Sequence, residues 1–361
     1  DISTTMTLNE DYRPVFQTTR GKTVESVHFG AIAVADVHGN LIACYGSPKA
    51  VTFLRSAAKP FQALPFVEKG GPDSFGLTPK EIAIMCASHS GTDEHFRVLR
   101  QLQKKIGISQ GNLLCGTHRP IHKPTAALMV DRGEQPTPNR HNCSGKHTGM
   151  LAHAILEKAS LNNYVDPEHL IQRSILEVFS EMCSVDAMNI KLGIDGCSAP
   201  VFAVPMVNAA MAWARLVDPG QLSPRRAAAC RTISSAMTAH PLMVAGPDRF
   251  DTRLMKVTQG RILAKGGAEA YQGIGIPPGG LGEDSPGLGI AVKIADGDTR
   301  RRAKTAVVMD VLRQLGALTD QEMAALADFG PTRTVRNYRN LVVGRGQPCF
   351  QLEGIPGQIS R

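Results

Sequence analysis

Aromatic residues are scarce in this 361-residue chain: one Trp, five Tyr and twelve Phe, 5% of the total. Stacking platforms for single-stranded nucleic acid are built from such residues, so none is expected. Acidic residues are also in deficit, 32 against 40 Lys and Arg, which gives a formal charge of +8 and a pI near 9.1. The basic residues are dispersed, with local clusters only at Arg300-Arg301-Arg302 and from Arg333 to Arg339. That pattern reads as a solvated basic face, and no nucleic-acid partner is expected. No apolar run is long enough to span a bilayer. The longest, around Val201 to Leu216, is broken by Pro205, Asn208 and Arg215, so no membrane partner is expected either. No CxxC pair occurs among the eight cysteines, and reduced thiols in a cytoplasmic protein are the expectation. The start shows no charged-then-apolar leader. Residues 1–24 are expected to be an N-terminal extension, Asp1 to Thr5 being foreign to the native chain and Met6 its start.

What is present is ordinary globular material, 42% hydrophobic and 20% charged, enough for a large core. Residues 25–361 are expected to form a single domain with a helical region inserted around 93–240. Val27 to Ala35 and Leu41 to Tyr45 read as a hairpin around His38-Gly39-Asn40. A helix is expected from Ser56 to Gly70-Gly71. Thr78-Pro79-Lys80-Glu81 is a capping box that opens another helix, pointing at Ser88-His89-Ser90-Gly91. Gly116 to Arg140, rich in Pro, His and Thr, reads as a long irregular loop. Strands at 261–265, 271–275 and 287–294 precede a helix from Thr299 to Leu315, and the C-terminal tail adds one more strand. Strands at both ends with helices between predict an α+β fold, an α/β sandwich: one largely antiparallel sheet flanked by helices.

The chemistry concentrates in a few short stretches. Ser56 and Lys59, three residues apart, share one helix face, so hydroxyl and amine can meet. A serine needs such a base to act as a nucleophile, and a lysine serves if its pKa is lowered. Pro60 belongs to a first helical turn, which places Ser56 near a helix N-terminus. Ser-x-x-Lys is also a signature of penicillin-recognising acyl transferases, in which a Lys-Thr-Gly element accompanies it. Ala264-Lys265-Gly266-Gly267 has that shape. Cys86-Ala87-Ser88-His89-Ser90-Gly91 offers either a second catalytic hydroxyl or plain turn chemistry. Cys143, Lys146 and His147 in one turn, with Asp195-Gly196-Cys197 further on, leave open either a two-thiolate zinc site or buried small hydrophobes.

Taken together, Arg55-Ser56-Ala57-Ala58-Lys59-Pro60, Cys86 to Ser90, Asn142-Cys143-Ser144-Gly145-Lys146-His147, Asp195-Gly196-Cys197, His240 to Gly246 and Lys265-Gly266 resemble the Rhizobium etli-type L-asparaginases. The resemblance runs from about Glu25 to about Gly297. It implies a serine β-lactamase/glutaminase-like fold, a homodimer, and hydrolysis of L-asparagine to aspartate and ammonia. It also implies two catalytic pairs, Ser56 with Lys59 and Ser88 with Lys265. Zinc would be held by Cys143, Lys146 and Cys197, the lysine kept neutral with help from a neighbouring cation. Asp195 would hold the substrate α-ammonium, with Arg55 and His147 lining the pocket. Two other readings stand beside this one. The first is a serine acyl hydrolase or glutaminase acting on another amide. The second is a zinc-stabilised basic binding protein.

Overall fold

The computed structural model describes residues 8–354; the segment Asp1 to Thr5 and Met6 lie outside them. The strands are β1 (Arg13–Arg20), β2 (Thr23–Ala35), β3 (Leu41–Tyr45), β4 (Val51–Phe53), β5 (Lys191–Ile194), β6 (Pro200–Pro205), β7 (Leu263–Gly267), β8 (Tyr271–Ile276), β9 (Leu288–Ile294), β10 (Arg333–Arg336), β11 (Val342–Pro348) and β12 (Glu353–Gly354). The main sheet runs β10-β11-β1-β2-β9-β8-β7, with β3 also on β2 and β12 on β3. Its ladders are antiparallel. N- and C-terminal strands therefore share one sheet, as an α+β fold requires.

Every residue of β8 and β9 is buried, the mark of strands covered on both faces. Helix Met206–Val217 packs on β8, β9 and β2, and helix Lys304–Gln314 packs on β9, β8, β1 and β11. Close approach of the first is possible because β8 carries glycines. A Cβ on Gly273 would sit 2.1 Å from the Trp213 ring nitrogen. The remaining long helices, Lys59–Glu68, Asp93–Ile106, Ser144–Leu156, Leu170–Cys183 and Pro224–Ala239, come from the middle of the chain.

Some expectations change. Strand β1 falls inside the segment read as an extension and pairs with both β2 and β11. A second sheet, β4-β6-β5, was not anticipated. The stretch read as an irregular loop contains helix Lys123–Asp131, capped by the His122 side chain with Pro at its first turn; local capping outweighed loop-like composition. The tail supplies β10, β11 and β12 rather than one strand. Among the described residues, no helix is long and apolar enough to cross a membrane.

Candidate active site

Ser88 follows helix Pro79–Met85, whose start is fixed as the capping box predicts: Thr78 N donates to Glu81 Oε2 at 2.8 Å. The turn beyond it is clipped to residues 242–245. Ser88 N donates to Val244 O at 2.9 Å and Ser90 Oγ to Ala245 O at 2.7 Å, while His95 Nε2 lies 2.8 Å from Leu242 O. The His240-to-Gly246 motif thus holds the serine turn in place.

Two lysines converge on Ser88. Lys59 Nζ donates to Ser88 Oγ at 2.8 Å, to Ala87 O at 2.6 Å and to Cys143 Sγ at 3.3 Å. Lys265 Nζ donates to Ser88 Oγ at 3.0 Å and to Gly266 O at 2.6 Å. Both lysines are 1% exposed and Ser88 is 7% exposed. Burial, then the nearby Lys59 charge, lowers the Lys265 pKa to about 7 against the opposing pull of Asp251. Lys265 is therefore an amine poised to change charge at neutral pH.

Ser56 sits in the 3-10 turn Arg55–Ala58 that leads into helix Lys59–Glu68, with Pro60 in the first turn as expected. It is only half-buried, between the buried Leu54 and Ala57. The expected Ser56–Lys59 hydrogen bond is not among those formed by the described residues. The Lys59 amine is drawn inward instead by three acceptors on the 87–88 turn and Cys143. Gly267 lets β7 close on this turn, since a Cβ there would lie 2.3 Å from Leu54 O.

Arg55 carries a left-handed backbone, φ 50°, which is uncommon outside glycine and tends to gather at functional sites. Its Nε and Nη2 donate to Asp195 Oδ1 at 3.1 and 2.6 Å, and Gly196 N donates to the same oxygen at 2.7 Å. Among the described hydrogen bonds Asp195 Oδ2 has no donor, leaving it free for another cation. Burial works to raise the Asp195 pKa, but Lys146 and Arg55 hold it below the usual carboxylate value.

The cysteine pair lies alongside. Cys143 is 5% and Cys197 2% exposed. A hydrogen bond from Cys197 holds the Cys143 thiol well below its ordinary pKa, with Lys59 and Lys146 helping, while Cys197 is correspondingly raised. Lys146 Nζ donates to Cys197 Sγ at 2.9 Å. Burial would depress Lys146, yet the two sulfurs override it and raise its pKa. Its closest partner is the Cys197 sulfur, with the Cys143 sulfur as a second favourable neighbour. His147, fully buried, has Nδ1 2.7 Å from Tyr164 Oη and its Nε2 buried without a hydrogen-bond partner. At 0% exposure it presents no surface to solvent. Among the described residues, no three or more His, Cys, Asp or Glu side chains are grouped to hold a metal. The sulfur and nitrogen donors of Cys143, Cys197 and Lys146 do converge, with the unpartnered His147 Nε2 beside them, and their chemistry fits a zinc ion.

Gly145 makes this convergence possible. A Cβ on it would lie 2.0 Å from Ile84 O, so helix Ser144–Leu156 could not otherwise reach helix Pro79–Met85. Sequence reasoning missed one group, Asp251, which is 7% exposed and accepts from Gly266 N at 2.8 Å and Gln272 Nε2 at 3.0 Å. No local motif marks it. Only the fold brings it beneath Lys265.

Residues 16–348 match the family described as L-asparaginase II. No curated protein matches the chain. Among solved structures, Mglu in its native form is 15% identical with a TM-score of 0.41, covering 81% of this chain and 66% of that one. Native Mglu in 4.3 M NaCl is 14% identical with a TM-score of 0.39, covering 79% and 60%. The Bacillus subtilis glutaminase YbgJ, in covalent complex with 5-oxo-L-norleucine, is 12% identical with a TM-score of 0.33, covering 73% and 79%. The chain spans 60% and 66% of the length of the two Mglu structures. These are loose overlaps, each with a TM-score below 0.5.

Proposed function

The chain belongs to the L-asparaginase II family, and on that premise we propose that it is an amidohydrolase that converts L-asparagine to L-aspartate and ammonia. The observation that carries the reading is the buried Ser88 hydroxyl gripped by Lys59 and Lys265, with Lys59 three residues from the more accessible Ser56. Ser56 is the attacking group in this reading, because a substrate can reach it. Its oxygen bonds the carboxamide carbon and its proton passes to Lys59, whose amine must first turn from its acceptors on the 87–88 turn and Cys143. Backbone N–H groups at the helix start stabilise the oxyanion, an interaction that contributes ~3–4 kcal/mol in such sites. Ser88, fed by Lys265, gives a proton to the leaving ammonia as the C–N bond breaks. Lys265, left neutral by that transfer, then takes a proton from the water that attacks the acyl ester, and Lys59 returns its proton to Ser56 as the ester bond breaks. Asp195 Oδ2 takes the substrate α-ammonium, and Arg55 fixes that carboxylate in place.

Zinc remains part of the proposal, held by Cys143, Cys197 and Lys146, where it would supply a Lewis-acidic anchor for the loops and the substrate. Lys146 must then give up its proton on binding. A homodimer is proposed from the family resemblance. Val51, Phe53, Leu192 and Ile194 of the small sheet are exposed, an apolar surface that adjoins Asp195.

A second reading has an observation in its favour. Both lysines bond Ser88, so Ser88 itself could be the acylated group. A diazo-ketone analogue of L-asparagine, followed by peptide mapping, separates the two: label on Ser56 supports the first reading and label on Ser88 the second. The decisive assay is ammonia release from L-asparagine, with L-glutamine and D-asparagine beside it. Turnover of L-asparagine, abolished in Ser56→Ala, is expected. Release from L-glutamine alone would replace the substrate, and full activity in Ser56→Ala would remove Ser56 from the mechanism.

A further inference from the structure

Lys265 cannot be understood from its own contacts. Its amine meets Ser88 Oγ and Gly266 O, and the Gly266 peptide is held from its other side by Asp251 Oδ2. Gln272, fully buried and paired with Gly266 across the β7–β8 ladder, fixes the second carboxylate oxygen. A path therefore runs from Asp251 through the two peptide groups of Gly266 to Lys265 and Ser88. Gly266 leaves little room at its centre. A Cβ there would meet Lys304 Nζ at 3.0 Å and Asp251 Oδ2 at 3.4 Å, which also shows that Lys304 lies close to Asp251.

The charges facing Lys265 are Lys59 on helix Lys59–Glu68, Asp251 and Arg249 at the start of helix Phe250–Val257, and Lys304 on helix Lys304–Gln314. The buried Cys86 thiol, pushed up to about 12 by burial, stays neutral. Asp251 is the one anion in this set, and it stays ionised because Lys265, Lys304 and its two hydrogen-bond donors outweigh its burial.

We propose that Asp251 is the positioning residue of this site, a buried carboxylate that fixes the Gly266 peptide and sets how much charge Lys265 carries at neutral pH. Without it, four cations would share one apolar pocket. Lys265 would then shed its proton too readily to hand one to Ser88. Lys304 acts in the opposite sense, repelling the Lys265 proton and sharing the Asp251 charge. The role in turnover rests on the amidohydrolase reading above. The role in setting the charge of Lys265 does not.

The test follows the Lys265 ammonium directly, by NMR titration of lysine-labelled protein assigned against Lys265→Met. In Asp251→Asn the titration midpoint is expected to fall by roughly one pH unit or more. In Lys304→Met it is expected to rise, an opposite shift that general loosening of the fold would not produce. The alkaline limb of the kcat profile for L-asparagine should move in the same directions as the midpoints. Should Asp251→Asn fail to fold, Asp251→Glu, which keeps the charge but displaces the carboxylate from Gly266 N, takes its place, and its midpoint is expected to move as well. A midpoint unmoved in the folded variants overturns the proposal. If the midpoints move but the wild-type protein releases no ammonia from asparagine or glutamine, the amidohydrolase reading fails while the charge-setting role stands.

Discussion

Lys265 and Lys146 are both buried, and their amines are pushed in opposite directions. Lys265 faces Lys59 and is drawn down to about 7; Lys146 faces Cys197 and Cys143 and is raised. Burial penalises the ammonium in both places, so the neighbours decide the outcome. A cation neighbour makes a lysine that trades protons. A sulfur neighbour makes a lysine that keeps its proton until something displaces it. The site thus has an amine side, built around Ser88, and a sulfur side, built around Cys143 and Cys197. Lys59 joins them, donating to Ser88 Oγ and Cys143 Sγ alike.

The sharpest way to break this arrangement is to remove the shared residue. Lys59→Met deletes the base for Ser56, a donor to Ser88 and the cation beside Cys143. A loss in kcat of at least ~10³-fold is expected, toward the upper range for general acid–base groups. Steady-state kinetics check it, and a variant within tenfold of wild type would separate the two sides.

Removing Lys265 touches the amine side alone. Lys265→Met should cost ~10²–10³-fold in kcat, with metal content unchanged. In the wild type, activity should fall as pH rises through about 7, because deprotonation removes the ammonium that must feed Ser88. The same limb should be missing from the residual activity of Lys265→Met. A limb that persists there belongs to another group.

On the sulfur side, Cys197→Ser should abolish stoichiometric zinc, read by elemental analysis of the purified protein. A loss of about 10–100-fold in activity is expected to accompany it. Labelling by the diazo-ketone should survive, since the serines remain in place. A chemically inert serine would show that the two sides are not separable.

How much of this was legible in the chain depends on the reach of each interaction. Thr78 and Glu81 are three residues apart, and the helix they start was readable. So were the hairpin of β2 and β3 and the strands β7 to β9, where alternation or continuous apolar runs leave little choice. The β4-β6-β5 sheet was not, because its strands are short and β6 begins and ends with proline. Lys59, Ser88, Cys143 and Lys265 were named as candidates, and hydrogen bonds link them in the fold. Their pairing was not legible. Spacing alone ties Lys59 to Ser56, whereas the fold offers it better acceptors near residue 88. Asp251 stayed invisible for the same reason: its partners lie fifteen and twenty-one residues away.

Two glycines give the smallest and most discriminating test, because each admits one side of the site. Gly267 lets β7 close on Leu54 O, and Gly145 lets the Cys143 turn close on Ile84 O; a Cβ would lie 2.3 Å and 2.0 Å from those oxygens. Backbone oxygens cannot swing aside as a side chain can, so alanine at either position must shift a whole element. Overpacking of this kind costs roughly 1–3 kcal/mol, readable as a lowered Tm in both variants. The functional consequences should diverge. Gly267→Ala moves Lys265 relative to Ser88 and should lower kcat with zinc retained. Gly145→Ala moves Cys143 and Lys146 and should lower zinc content first. Equal loss of both properties in both variants would mean that the site yields as one rigid block, and that the opposite charge states of the two lysines are held by the pocket as a whole rather than by their separate neighbours.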